Sequence, residues 1–336
     1  MRVLVTGAGG FLGRHVAASL LEQGVGHLRL HFRGAPPPGF VEGLATRFPA
    51  ATIETAAANL LYRHDLEAVV DGVDCVVHAA AGMRGAAADM FANTVVGTRN
   101  LLDACVAAGV RRVTLVSSFS VYRTERLASG AVHDESVPIE EVGISKGAYA
   151  HAKTRQERLV ASYRETHGLE TVTLRPGVIY GPGSAGPSSR VGISAMGLFF
   201  SLGRRAELPL TYVENCADAI ALAALRASDG AAYSVVDDGL PDCAGYLRGY
   251  RARKRGMRVL PVPYWALLLG SRVLLAYNRR SKGQLPAVFT PYIVRSMYRG
   301  FRHSNAALKR LGWQPRVATE EGMRRTFEAL GNEERG

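Results

Sequence analysis

A chain of 336 residues, 47% of them hydrophobic, can bury one large core or two smaller ones, and aromatic and charged fractions of 8% and 21% exclude a disordered or fibrous protein. No apolar run reaches the roughly 18 residues that a spanning helix needs and no charged, apolar leader precedes the first strand, so a cytoplasmic location is expected. The formal net charge of +12 raises the question of an anionic partner, while Cys75, Cys105, Cys216 and Cys243 are too scattered to suggest disulfides or a metal site.

The chain opens on a short apolar run, Val3 to Val5, which reads as a buried strand. Gly7, Gly10 and Gly13 follow at a spacing of three, and apolar residues then recur at helical intervals through Phe11, Leu12, Val16 and Leu20. Strand, glycine turn and helix in this order form a dinucleotide site: Gly7 reverses the chain, Gly10 admits a pyrophosphate, Gly13 packs helix on strand, and the helix N-terminus offers free N–H groups.

A second strand, residues 27–32, ends at Arg33, 20 residues after Gly13. An acid near that position suits an adenosine ribose, whereas an arginine suits a 2′-phosphate, so NADP(H) is favoured and NAD(H) stays open. A third strand near 52–55 leads to Asn59 and Leu60, and a helix near 64–70 leads to the apolar strand 75–77. This strand runs into Ala79, Ala80 and Ala81, small enough for a cofactor to lie close to the backbone. A helix over 93–106 and a strand over 113–118 repeat the alternation, which implies a parallel, doubly wound Rossmann-type sheet with ligands beyond the strand C-termini.

Ser118 closes that last strand, and Tyr149 and Lys153 open the next helix four residues apart, hence on one face. A neighbouring ammonium stabilises a tyrosinate, so Lys153 is expected to lower the Tyr149 pKa toward working pH and make it an acid/base.

With these motifs in place the chain resembles the extended short-chain dehydrogenases/reductases, the NAD-dependent epimerase/dehydratase type. The likeness extends through Asn93 to Leu102, Leu174 to Gly183, Tyr212 to Ala219 and Leu311 to Pro315. The resemblance implies that Tyr149 is the catalytic acid/base, that Lys153 binds the nicotinamide ribose and tunes Tyr149, and that Ser118 hydrogen-bonds the reacting oxygen. It places Asn59 and Leu60 beside the adenine, although the family often has an acid at Asn59, and Pro176 and Val178 complete the cofactor set. Sugar 4,6-dehydratases of the family carry T-D-E where this chain has Ser118-Phe119-Ser120, and nucleotide-sugar epimerases usually have asparagine where Val178 stands. The form L-R-P-x-x-x-Y-G-P-G looks more like the hydroxysteroid-dehydrogenase and flavonoid-reductase branches. The expectation is an oxidoreductase interconverting a ketone and a secondary alcohol on a small apolar substrate. A nucleotide-sugar 4-epimerase of polysaccharide biosynthesis and a non-catalytic NADP-binding sensor are the alternatives.

On this reading residues 1–176, with 211–237 returning to them, form the dinucleotide-binding domain, and 177–210 with 238–336 form a small substrate-binding subdomain. The apolar stretch 193–202 either lines the substrate pocket or makes the subdomain's core. A homodimer is expected through the helices near 91–108 and 149–166. Basic residues cluster at Arg248, Arg251, Arg253, Lys254, Arg255 and Arg258 and again at Arg279, Arg280 and Lys282; without a nucleic-acid module or a stacking aromatic series, no nucleic acid is expected. Between the clusters the apolar run 264–277 is expected to cover the substrate pocket with its arginines outward, and contact with a membrane surface is the less favoured alternative.

Overall fold

In the computed structural model, which describes every residue except 84, 142, 185, 255, 282–288 and 334–336, the alternating pattern closes into one seven-stranded parallel sheet. Arg255 and Lys282 of the basic clusters therefore lie outside the described residues. The strands are β1 (Arg2–Thr6), β2 (His27–Phe32), β3 (Thr52–Ala57), β4 (Cys75–His78), β5 (Arg112–Val116), β6 (Glu170–Pro176) and β7 (Ala232–Val235). Their order across the sheet is β7-β6-β5-β4-β1-β2-β3, so the winding reverses between β1 and β4. At such a reversal the loops above neighbouring strands leave in opposite directions and open a crevice for a ligand.

The central strands β1 and β4 carry the apolar runs Val3 to Val5 and Cys75 to Val77 because helices cover both faces. On one face Val3 and Val5 meet Val16 and Leu20 of α1 (Phe11–Glu22) and a later helix. On the other, Leu4 and Val76 meet Leu101, Leu102 and Cys105 of α2 (Gly97–Ala107) and Val160 of α3 (Ala148–His167). The later helix is α4 (Val213–Arg226), which lays Cys216, Ile220 and Ala223 against α1. Each fully buried leucine or valine contributes about 1.5–3 kcal/mol. The expected helix over 93–106 starts earlier: a turn at Ala87–Phe91 and a π-type turn at Ala92–Val96 lead into α2.

After Pro176 the chain leaves the sheet at Gly177, where a β-carbon would lie 2.2 Å from the Pro209 carbonyl oxygen. The segment Val178–Tyr180 pairs with Leu210–Tyr212, and the apolar stretch 193–202 forms a hairpin joined by Val259–Pro261 into a three-stranded sheet. Phe199 of that hairpin is buried with Tyr180, Tyr212, Tyr246 and Phe327, so there the stretch is core. The late Leu311 to Pro315 motif closes on the main sheet: Trp313 Nε1 donates to Asn215 O at 3.1 Å, and the Asn215 side chain bonds Asp237 and Val317.

The run 264–277, expected to cover the substrate pocket, lies in α5 (Tyr264–Arg280), which packs Tyr264, Leu267 and Leu268 against Val294 and Tyr298 of α6 (Pro291–Tyr298). Nothing covers its other side among the described residues, so Trp265, Leu269, Val273 and Tyr277 face outward together with the arginines, and Ser271 alone in the helix is buried.

Candidate active site

The glycine turn connects β1 to α1 at the reversal point. Gly7 has φ +72°, and the chain leaving β4 passes so close that a β-carbon on Gly7 would lie 3.0 Å from Ala80 Cα. Gly13 meets the turn more tightly still, since a β-carbon there would lie 2.1 Å from Gly7 O. No side chain caps α1, so its first N–H groups are left for an anion such as a phosphate. These residues fit a dinucleotide's pyrophosphate.

The other cofactor candidates surround this turn. Arg33 follows β2 directly, is exposed, and brings Nη1 within 3.5 Å of Asn93 Oδ1. Asn59 folds its own loop, accepting from Leu61 N–H at 3.1 Å, while Leu60 is held by Asn100 Nδ2, which donates to its carbonyl at 2.9 Å. Ala79, Ala80 and Ala81 run over the glycine turn toward Thr94, whose hydroxyl takes the Gly82 N–H at 3.0 Å. Pro176 ends β6 beside Val235, and Val178 lies beyond the chain's exit from the sheet, where its N–H bonds Pro209 O at 2.6 Å.

Ser118, Tyr149 and Lys153 converge beside this crevice. Ser118 follows β5 and accepts the Ser120 N–H at 3.2 Å, while Tyr149 stands in the first turn of α3 within the reach of Ser118. Lys153 is buried and donates from Nζ to Val116 O at 2.9 Å and to Gln156 Oε1 at 2.8 Å. The expected lowering of the Tyr149 pKa is corrected: burial raises it and the hydrogen bond with Ser118 offsets only part. The physical reason is the direction of Lys153, whose ammonium is drawn to the end of β5 and to Gln156. Burial pushes Lys153 itself down to about 8, against the pull of Glu157. Glu157 forms a buried ion pair with Arg175 of β6 at 2.8 Å, which anchors α3 to the sheet.

Gln156, Thr98, His78 and Thr6 form a buried chain of hydrogen bonds that sequence reasoning missed. Gln156 Nε2 donates to Thr98 Oγ1 at 2.8 Å, and the Thr98 hydroxyl donates to Thr94 O in the π-type turn. With that proton committed, His78 Nε2 donates to Thr98 at 2.8 Å, and its Nδ1 accepts from Thr6 at 2.7 Å. Thr6 Oγ1 in turn accepts the Ala80 N–H at 3.3 Å. The chain therefore links the glycine turn to Lys153. Its signal was a polar residue, Thr6 or His78, directly following each of two apolar runs; the β1–β4 register sets the two side by side.

Among known proteins, the family model described as NAD dependent epimerase/dehydratase family matches residues 3–236. The 2-alkyl-3-oxoalkanoate reductase of Shewanella oneidensis is 28% identical, over 97% of this chain and 85% of its own length. The human 3 beta-hydroxysteroid dehydrogenase type 7 is 29% identical, over 96% of this chain and 94% of its own. The solved structure of the Thermus thermophilus UDP-glucose 4-epimerase in complex with NAD shares the fold, with a TM-score of 0.70 at 21% identity over 98% of this chain and 99% of that one. With a glycine turn built for a dinucleotide at the reversal of a seven-stranded sheet, and a family match across most of its length, this chain belongs to the NAD-dependent epimerase/dehydratase family of extended short-chain dehydrogenases/reductases.

Proposed function

We propose that this protein is an NADP(H)-using oxidoreductase that interconverts a ketone and a secondary alcohol on a small, largely apolar substrate. The observation that carries this reading is the convergence of Ser118, Tyr149 and Lys153 beside the glycine turn. The likeness to a 3-oxoalkanoate reductase and a hydroxysteroid dehydrogenase over nearly the full chain supports the reaction class. Phe119 adds support: it stands where dehydratases of the family carry an acid, and it is buried against Tyr122 and His133, leaving no group there to eliminate water. The arginine after β2 supports the 2′-phosphate.

The glycine turn of Gly7, Gly10 and Gly13 would hold a nicotinamide dinucleotide, which would supply or take up the hydride at the substrate carbon. Tyr149 gives its proton to the carbonyl oxygen during reduction and takes the alcohol proton during oxidation, so hydride and proton together balance ketone against alcohol. Ser118 orients that oxygen, and Lys153, one helical turn on and held by Val116 O and Gln156, would bind the nicotinamide ribose. The test is NADPH consumption with a panel of aliphatic, 3-oxo-acid and polycyclic ketones. Reduction of at least one class supports the reading; interconversion of nucleotide sugars with no net cofactor change overturns it in favour of epimerisation.

A further inference from the structure

We propose that the small subdomain docks on an anionic lipid surface, with the outer face of α5 at the acyl boundary and lipid phosphates in an arginine-lined groove beside it. Trp265, Leu269, Val273 and Tyr277 repeat at intervals of four and are 68%, 55%, 61% and 55% exposed, so one helix side presents a continuous apolar, aromatic face to solvent. Arg272, Arg279 and Arg280 are also exposed, and their long stems can lie along this face while the guanidinium groups reach phosphates. Leu260, just before α5, is exposed as well.

The groove gives the second, independent observation. It measures about 440 Å3 and is lined by Arg204, Arg248 and Arg251 together with Leu247, Val259 and Pro261, the last only three residues from the start of α5. None of the three arginines has a carboxylate partner among the described residues. Charge complementarity then selects the occupant: from Cys243 to Thr319 the chain holds sixteen lysines and arginines and no aspartate or glutamate. Some of these cations pair with acids from other elements, as Arg253 does with Glu328, but Arg204, Arg248, Arg251, Arg272, Arg279 and Arg280 have no such partner among the described residues. A second copy of this chain would set them against one another, whereas an anionic bilayer offers phosphates to the groove and an apolar layer to the helix. At 17 residues α5 is shorter than a span, and no helix among the described residues is long and apolar enough to cross a membrane. It lies on the surface rather than through it.

The test uses the full chain with vesicles of phosphatidylglycerol and phosphatidylcholine, and with phosphatidylcholine alone. Expected are flotation with the anionic vesicles only, at least tenfold weaker at high salt, and a blue shift of Trp265 emission that Trp265→Phe removes. Leu269→Glu with Val273→Glu, or Arg204, Arg248 and Arg251 changed to Glu, should each reduce flotation at least tenfold. All these positions are solvent-exposed, and an unchanged unfolding midpoint checks the fold. Three outcomes overturn the proposal: no flotation with either vesicle, flotation untouched by both variants, or binding of inorganic phosphate to the groove without vesicle binding. Self-association abolished by Leu269→Glu, without vesicle binding, would assign the face to a second copy instead.

Discussion

Lys153 Nζ lies 2.8 Å from Gln156 Oε1, so a buried amide, itself tied through Thr98 to His78, aims the ammonium of the candidate active site. Gln156→Leu removes a hydrogen bond that favours the charged form and should move the Lys153 pKa below its present value of about 8. Such a bond to a charged group is worth about 1.5–3 kcal/mol, so turnover should fall by roughly tenfold or more, with the pH profile displaced to lower pH. A folded variant whose pH profile does not move would assign Gln156 a purely structural role.

Tyr149→Phe removes only the hydroxyl proposed to move the proton. Turnover should fall by about a hundredfold or more, while cofactor affinity stays within a few-fold of the parent's. Residual activity above about a tenth of the parent rate would refute the assigned role of Tyr149.

Arg33→Ala should weaken NADPH binding by roughly ten- to a hundredfold, the loss expected for one charge-assisted hydrogen bond, and leave NADH binding nearly unchanged. Titration of both cofactors into both proteins measures this directly. Equal losses would remove the case for NADP(H).

His78 is buried with both ring nitrogens engaged, and desolvation pushes its pKa from 6.5 down to about 3. A folded pKa below the unfolded one makes this group's contribution to stability complete above pH 6.5 and lost as the pH falls toward 3. His78→Gln should therefore unfold with a shallower pH dependence between those limits, by up to about 1.4 kcal/mol per pH unit. Parallel denaturation curves for variant and parent at each pH would contradict the buried neutral ring.

Homodimerisation through α2 and α3 predicts a sedimenting species of about twice 36.1 kDa at micromolar concentration. Val96 and Val106 remain exposed along the Ala87–Ala107 helical stretch, and Leu159 and Tyr163 of α3 are half-buried. Leu159→Arg should shift the species toward the monomer; a parent protein already monomeric would exclude this interface.

Features with local causes were legible in the amino-acid order. Strands covered on both faces carry apolar runs, as Val3 to Val5 and Cys75 to Val77 do, which marked β1 and β4. A position where a β-carbon has nowhere to go must be glycine, as Gly7 and Gly13 are, and residues four apart on a helix share a face, which paired Tyr149 with Lys153. Contacts across the sheet depended on the tertiary structure. Lys153 turns to Val116 and Gln156 because β5 ends beneath α3, and Thr6 meets His78, 72 residues away, only because β1 and β4 are neighbours in register. The outward face of α5 is of the same kind: its composition suits a buried helix as well as an interfacial one, and the difference lies in whether another layer packs against it, which no spacing within the helix encodes.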